Sequence, residues 1–121
     1  PAPSSAPPAW VNRTESAEGM VAIDVSRPRG QALAMAKRGA TLDAKRNLLE
    51  RIGGLQLSSQ TTVRDMVTET DLINAQSSGL IRGATVVSET PDWANGVYTV
   101  IVEVPLYDVW EYTRQERVYE D

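Results

Sequence analysis

Three kinds of side chain in this sequence could do chemistry: paired hydroxyls, clustered carboxylates and a run of cations. The hydroxyls are Ser58-Ser59, Thr61-Thr62 and Ser77-Ser78. A hydroxyl becomes a nucleophile only beside a base that takes its proton. The chain has no histidine and no cysteine. It can therefore build no Ser-His-Asp triad, no thiolate nucleophile and no imidazole or thiolate metal site. The pairs read as strand and loop polarity. Asp65, Glu69 and Asp71 could offer oxygen ligands to a divalent cation, but their spacing is not that of an EF-hand loop. Gly30 and Gly39 lack the spacing of a phosphate-binding loop. Asn12-Arg13-Thr14 matches a glycosylation acceptor, a tripeptide common by chance. Lys37, Arg38, Lys45, Arg46 and Arg51 make one stretch locally basic. They form either a solvated helix face or a surface for an anionic lipid or polymer. The residues point away from an enzyme, and no catalytic residue, cofactor or metal ion is expected.

The chain that must position these groups has 121 residues, with 12 Lys and Arg against 16 Asp and Glu, a net charge of −4. That length suits one domain and buries roughly two-thirds of the unfolded surface. The acidic excess speaks against nucleic-acid binding. No run of about 18 apolar residues is present, so no segment spans a bilayer as a helix. Residues 1–9, PAPSSAPPA, hold too little apolar surface to pack and favour extended polyproline II. They read as a tether between a folded domain and an anchor, or as an incidental extension.

Residues 20–25 read as a strand, broken by Arg27-Pro28-Arg29-Gly30. Over 30–53, Leu33, Ala36, Ala40, Ala44, Leu48 and Ile52 recur at spacings of three and four, which predicts one face of a long helix. Met35, Leu42 and Leu49 form a second row on nearly the opposite side. That row is either covered by another segment of the same chain or offered to a partner. Gly53-Gly54 stops the helix. The alternation of Leu55, Leu57, Val63 and Val67 predicts a strand over 55–67, and 69–79 a short helix. Residues 80–89 and 97–104 predict a hairpin closed by a Pro-, Asp- and Asn-Gly-containing connector. Leu106, Val109, Trp110 and Thr113 predict a C-terminal helix over 106–119. The order β, long α, β, short α, β, β, α gives an α+β, two-layer fold: one long helix packed on an antiparallel sheet of about four strands, plus the last helix.

Four segments together resemble a known family: Ala40 to Arg46 in an alanine-rich helix, Gly53 to Ser59 with its Leu-x-Ser-Ser, Leu80 to Val87, and the strand Tyr98 to Leu106. The ordered set is similar to the Lpp-twenty type of bacterial envelope lipoprotein and to related domains of flagellar assembly proteins P and T. It covers about residues 20–106. The resemblance implies an α+β domain, an outer-membrane or periplasmic location and no enzymatic activity. It also implies a lipid anchor on an N-terminal cysteine, with the outer membrane as a partner through it; the chain has no cysteine, so the anchor is either absent or was removed ahead of Pro1. Residues 107–121 extend beyond the family's usual end.

The expected organisation is a tether over 1–9, a lipoprotein-type domain over 10–106 and a helical extension over 107–121. The expected function is a non-enzymatic structural envelope protein that self-assembles, as a ring or disk of the flagellar motor at the outer membrane. Expected partners are further copies and other envelope or flagellar proteins. Candidate interface residues are Met35, Leu42, Leu49, Trp110, Tyr112 and Tyr119. The alternative is a periplasmic binding module for a small ligand or cell-wall polymer, with a pocket lined by Trp10, Trp93 or Trp110.

Overall fold

A computed structural model describes residues 6–120, the last five as helix backbone. The elements are β1 (Thr14–Ala22), α1 (Arg29–Gly53), α2 (Glu69–Ile73), β2 (Thr85–Asp92), β3 (Val97–Pro105) and α3 (Leu106–Glu120). Short 3₁₀ turns lie at Val63–Met66 and Gly79–Ile81. The fold is α+β, with one antiparallel sheet in the order β1-β3-β2. The sheet has three strands, not about four.

The central strand is β3, the segment densest in β-branched residues. It turns Tyr98, Val100, Val102 and Val104 into the core and leaves the intervening residues half-exposed. A sheet covered on one face produces this alternation. α1 lies over β1 and β3. Its buried row is Ala32, Ala36, Ala40, Ala44, Leu48 and Ile52, with Leu33 half-buried. The alanines let the helix sit unusually close to β1. A Cβ built at Gly19 would lie 2.8 Å from Ala44 Cα and nearer still to the Ala40 carbonyl oxygen. Below this contact the core widens to Leu48, Leu49, Ile52, Leu80 and Leu106. Burial of each such side chain contributes about 2 kcal/mol.

Four further sequence expectations change. The first strand starts at Thr14 rather than Met20. Its polar residues Glu15 to Glu18 hide it, because only the small Ala17 and Gly19 fit beneath the helix. Residues 55–67 do not form a strand. Leu57 and Ser58 N–H groups both donate to the Thr61 carbonyl, 2.8 and 3.1 Å away, and reverse the chain. Only the bridge between Gln56 and Thr62 remains. Thr62 and Asp65 then form a capping box that starts the 3₁₀ turn. The alternation survives as burial, Val63 fully and Leu55, Leu57 and Val67 partly. The second helix ends at Ile73, and the hairpin strand begins at Thr85 because Leu80 and Ile81 are buried in a 3₁₀ turn instead. The Asn-Gly connector forms as expected, with Gly96 at φ +69°. α3 follows β3 directly, and its Leu106 N–H donates to the Arg13 carbonyl at 2.9 Å.

Candidate functional surface

One flank of α1 seals the outer edge of β1. Asp43, Asn47 and Arg51 stand at four-residue spacing, one turn apart, so they line up along the helix. The Met20 N–H donates to Asp43 Oδ2 at 3.0 Å. Asn47 Nδ2 donates to the Glu18 carbonyl at 2.8 Å, and Arg51 to the Ser16 carbonyl at 3.0 Å. Ser16, Glu18 and Met20, alternate residues along the strand's unpaired edge, thus each have one backbone group satisfied by a side chain of the helix. The opposite edge, β2, carries a register irregularity between Val86 and Ser88 and a proline at position 91. Both devices discourage another strand from pairing there.

The other flank of α1 is cationic. Lys37 pairs with Glu89 of β2 at 3.0 Å. The Glu89 carboxylate holds the Lys37 ammonium above its ordinary 10.5 by hydrogen bond and charge. Burial, then Glu89, pushes the Tyr98 phenol above 10.0. Beside Lys37, a groove of about 260 Å³ runs between Arg38, Thr41, Leu42 and Lys45 and the Gln76 side. It continues past Arg46 and Ile73. The rim of this groove is cationic, with Arg38, Lys45 and Arg46 beside the apolar Leu42.

The candidate interface residues fall into different environments. Met35 is 40% exposed, Leu42 is half-buried and Leu49 is fully buried. Leu49 sits where Leu72 and Arg64 line the same depression, so the segment after α1 covers that end of the row. Trp110 is buried, stacked at a tilt on Tyr107 and under the Arg114 guanidinium at 4.7 Å. Tyr112 is half-buried, and its hydroxyl donates to Asp71 Oδ2 at 2.7 Å. The Asp71 carboxylate also accepts the Gly79 N–H, and the Tyr112 ring lies against Gly79 where a Cβ would stand. α3 is thereby pinned to the α2 region within one chain. The Tyr119 side chain lies outside the described residues.

The sheet's outer face is acidic. Register places Glu18, Met20, Thr99, Ile101, Glu103 and Asp92 on it, with Ser16, Ala22, Val97, Thr85, Ser88 and Thr90 between them. No lysine or arginine stands on this face of a strand. Met20, on the edge strand β1, is 51% exposed. Sequence reasoning missed this surface, since it depends on the register between strands and includes Ser16 and Glu18, which lie outside the expected strand over 20–25.

The other expected chemistry disperses. Asp65 caps Thr62, Asp71 anchors Tyr112, and Glu69 lines the groove near Leu49. Among the described residues no group of three or more carboxylates is placed to hold a metal ion. Ser78 Oγ is buried with no hydrogen-bond partner among them. Trp10 is buried and donates to the Gln56 carbonyl at 2.7 Å, while half-buried Trp93 lies under Arg29. No described helix is long and apolar enough to cross a membrane. No model of a known protein family matches the chain, and no curated protein matches it either.

Proposed function

We propose that the chain is a non-enzymatic structural module that assembles with further copies of itself in the bacterial envelope. One observation carries this reading. The two outer surfaces of the two-layer fold, on opposite sides, each leave a methionine open to solvent, Met20 on the sheet and Met35 on α1. Clustered apolar side chains rimmed by polar residues mark association surfaces, whereas single ones are ordinary; here Met20 has Ile101 on the neighbouring strand, and Met35 shares its helical row with Leu42. Both sheet edges are closed to strand pairing, so association uses faces. The likeness to the Lpp-twenty type and to flagellar assembly domains supports the envelope location and the finer reading as an outer-membrane-associated motor ring or disk component.

The test is sedimentation velocity on the purified chain across a concentration series at low ionic strength. Concentration-dependent growth of the sedimenting species supports self-assembly. A monomer at every concentration contradicts it. That result would favour the second reading, a periplasmic binding module, whose supporting observation is the cationic groove beside Lys37, Arg38 and Lys45.

A further inference from the structure

We infer that the contact between copies is head to tail: the outer face of α1 in one copy seats on the outer face of the sheet in the next. This inference rests on the self-assembly reading and specifies its interface.

The two surfaces match in chemistry. On α1, exposed Met35 and half-buried Leu42 form an apolar strip. Arg38 and Arg46 are exposed beside it and Lys45 is half-buried. Ile73, 69% exposed, extends the strip at the end of α2. On the sheet, the apolar residues are Met20 on the edge strand and Ile101 on the central strand, and Glu18 and Glu103 flank Ile101. The helix surface carries Arg38, Lys45 and Arg46 along its rim, with Glu50 and Glu69 at the Ile73 end, and the sheet surface has an anionic rim. The four rim residues Arg38, Arg46, Glu18 and Glu103 enter no ion pair within the chain among the described residues. The net charge of −4 conceals this separation, because cations concentrate on the helix layer.

Like faces repel and unlike faces attract, so charge alone selects a heterologous contact over a two-fold one. Because the surfaces lie on opposite sides of one molecule, each copy that binds leaves a fresh surface exposed. Repetition gives a ring if the rotation closes and a filament if it does not. The covered edges of the sheet keep that growth from being diverted into strand addition.

Charge reversal tests the interface. Variant one carries Arg38→Glu and Arg46→Glu, so both its faces are acidic. Variant two carries Glu18→Lys and Glu103→Lys, so both its faces are basic. Each should lose self-association by at least about tenfold in sedimentation. Mixed in equal amounts they should co-assemble, since each unlike contact is restored. The chain carrying all four changes should self-associate again. Circular dichroism checks that the variants keep their fold. Variants that assemble like the wild type, or that fail to rescue one another, overturn this interface while leaving self-assembly standing. A wild type that never associates overturns both.

Discussion

Asn47 of α1 donates its side-chain amide to the carbonyl of Glu18 on the free edge of β1, 2.8 Å away. With Asp43 one turn before and Arg51 one turn after, it makes the helix serve as the missing neighbour of the strand. Asn47→Ala should lower stability by about 1 kcal/mol, the net value of one such bond. Asp43→Ala should speed hydrogen exchange at the Met20 amide several-fold while leaving Val100 and Val102 protected. Unchanged exchange at Met20 would mean that the edge is not sealed by the helix.

The close approach of α1 to β1 gives a sharper test. Gly19→Ala places a methyl group into the backbone of Ala40 and Ala44. The strand and helix must separate, at about 3 kcal/mol. Ala44→Leu overpacks the same contact and should cost about 1–3 kcal/mol. Gly30→Ala, with nothing within 4 Å of its new Cβ, should be neutral or stabilise by about 0.5 kcal/mol. Chemical denaturation of the three variants checks the order. Equal stability of Gly19→Ala and Gly30→Ala would contradict the packing.

How far these features can be read from sequence varies by element. Ala36, Ala40 and Ala44 announce the helix and its buried side, because periodicity is intrinsic to the element. The Asn95-Gly96 turn is equally plain. β1 is legible only at its end, Met20 to Ala22, because the part squeezed under the helix must use Ala17 and Gly19, which carry almost no hydrophobic signal. Residues 55–67 mislead in the opposite sense. Leu55, Leu57 and Val63 alternate because they face the core from a turn, and burial alone does not reveal the hydrogen-bond pattern. The second helical row is half legible. Met35 and Leu42 reach the surface, whereas Leu49 is covered by a segment whose return path depends on the tertiary fold. The acidic sheet face was beyond reach without the register between β1 and β3.

The link between the last helix and the α2 region is the Tyr112–Asp71 bond. Tyr112→Phe removes a partner from a buried carboxylate and should destabilise by about 1–3 kcal/mol. The double variant with Asp71→Asn should cost less than the sum of the two single changes. Thermal melts of the four proteins measure this coupling. Strict additivity would show that the two side chains act independently.

The pH dependence follows from four groups. Lys37 is held above 10.5 by Glu89, and Tyr98 is pushed above 10.0 by burial and Glu89. Both stabilise the fold below those values and lose that contribution as pH rises through the raised ones. Asp24 and Asp92 are held below 3.8 by hydrogen bonds, chiefly from Ser26 and from Asn95. Their contributions are present above 3.8 and vanish as pH falls through the lowered values. No histidine titrates between these limits. The melting temperature should stay level from about pH 5 to 9 and fall on both sides. The acid effect should be small, because both aspartates are on the surface. A marked step near pH 6 to 7 would contradict this.

The absence of native cysteine makes one measurement especially direct. Arg46→Cys on the helix face and Thr99→Cys on the sheet face each introduce a single thiol. The two proteins are mixed at a concentration where the wild type assembles and treated with a short bismaleimide. Helix-on-sheet assembly predicts a cross-linked dimer in the mixture and little or none when either variant is treated alone. Efficient cross-linking of Arg46→Cys to itself, or none in the mixture, would contradict a head-to-tail contact between the cationic helix face and the acidic sheet face.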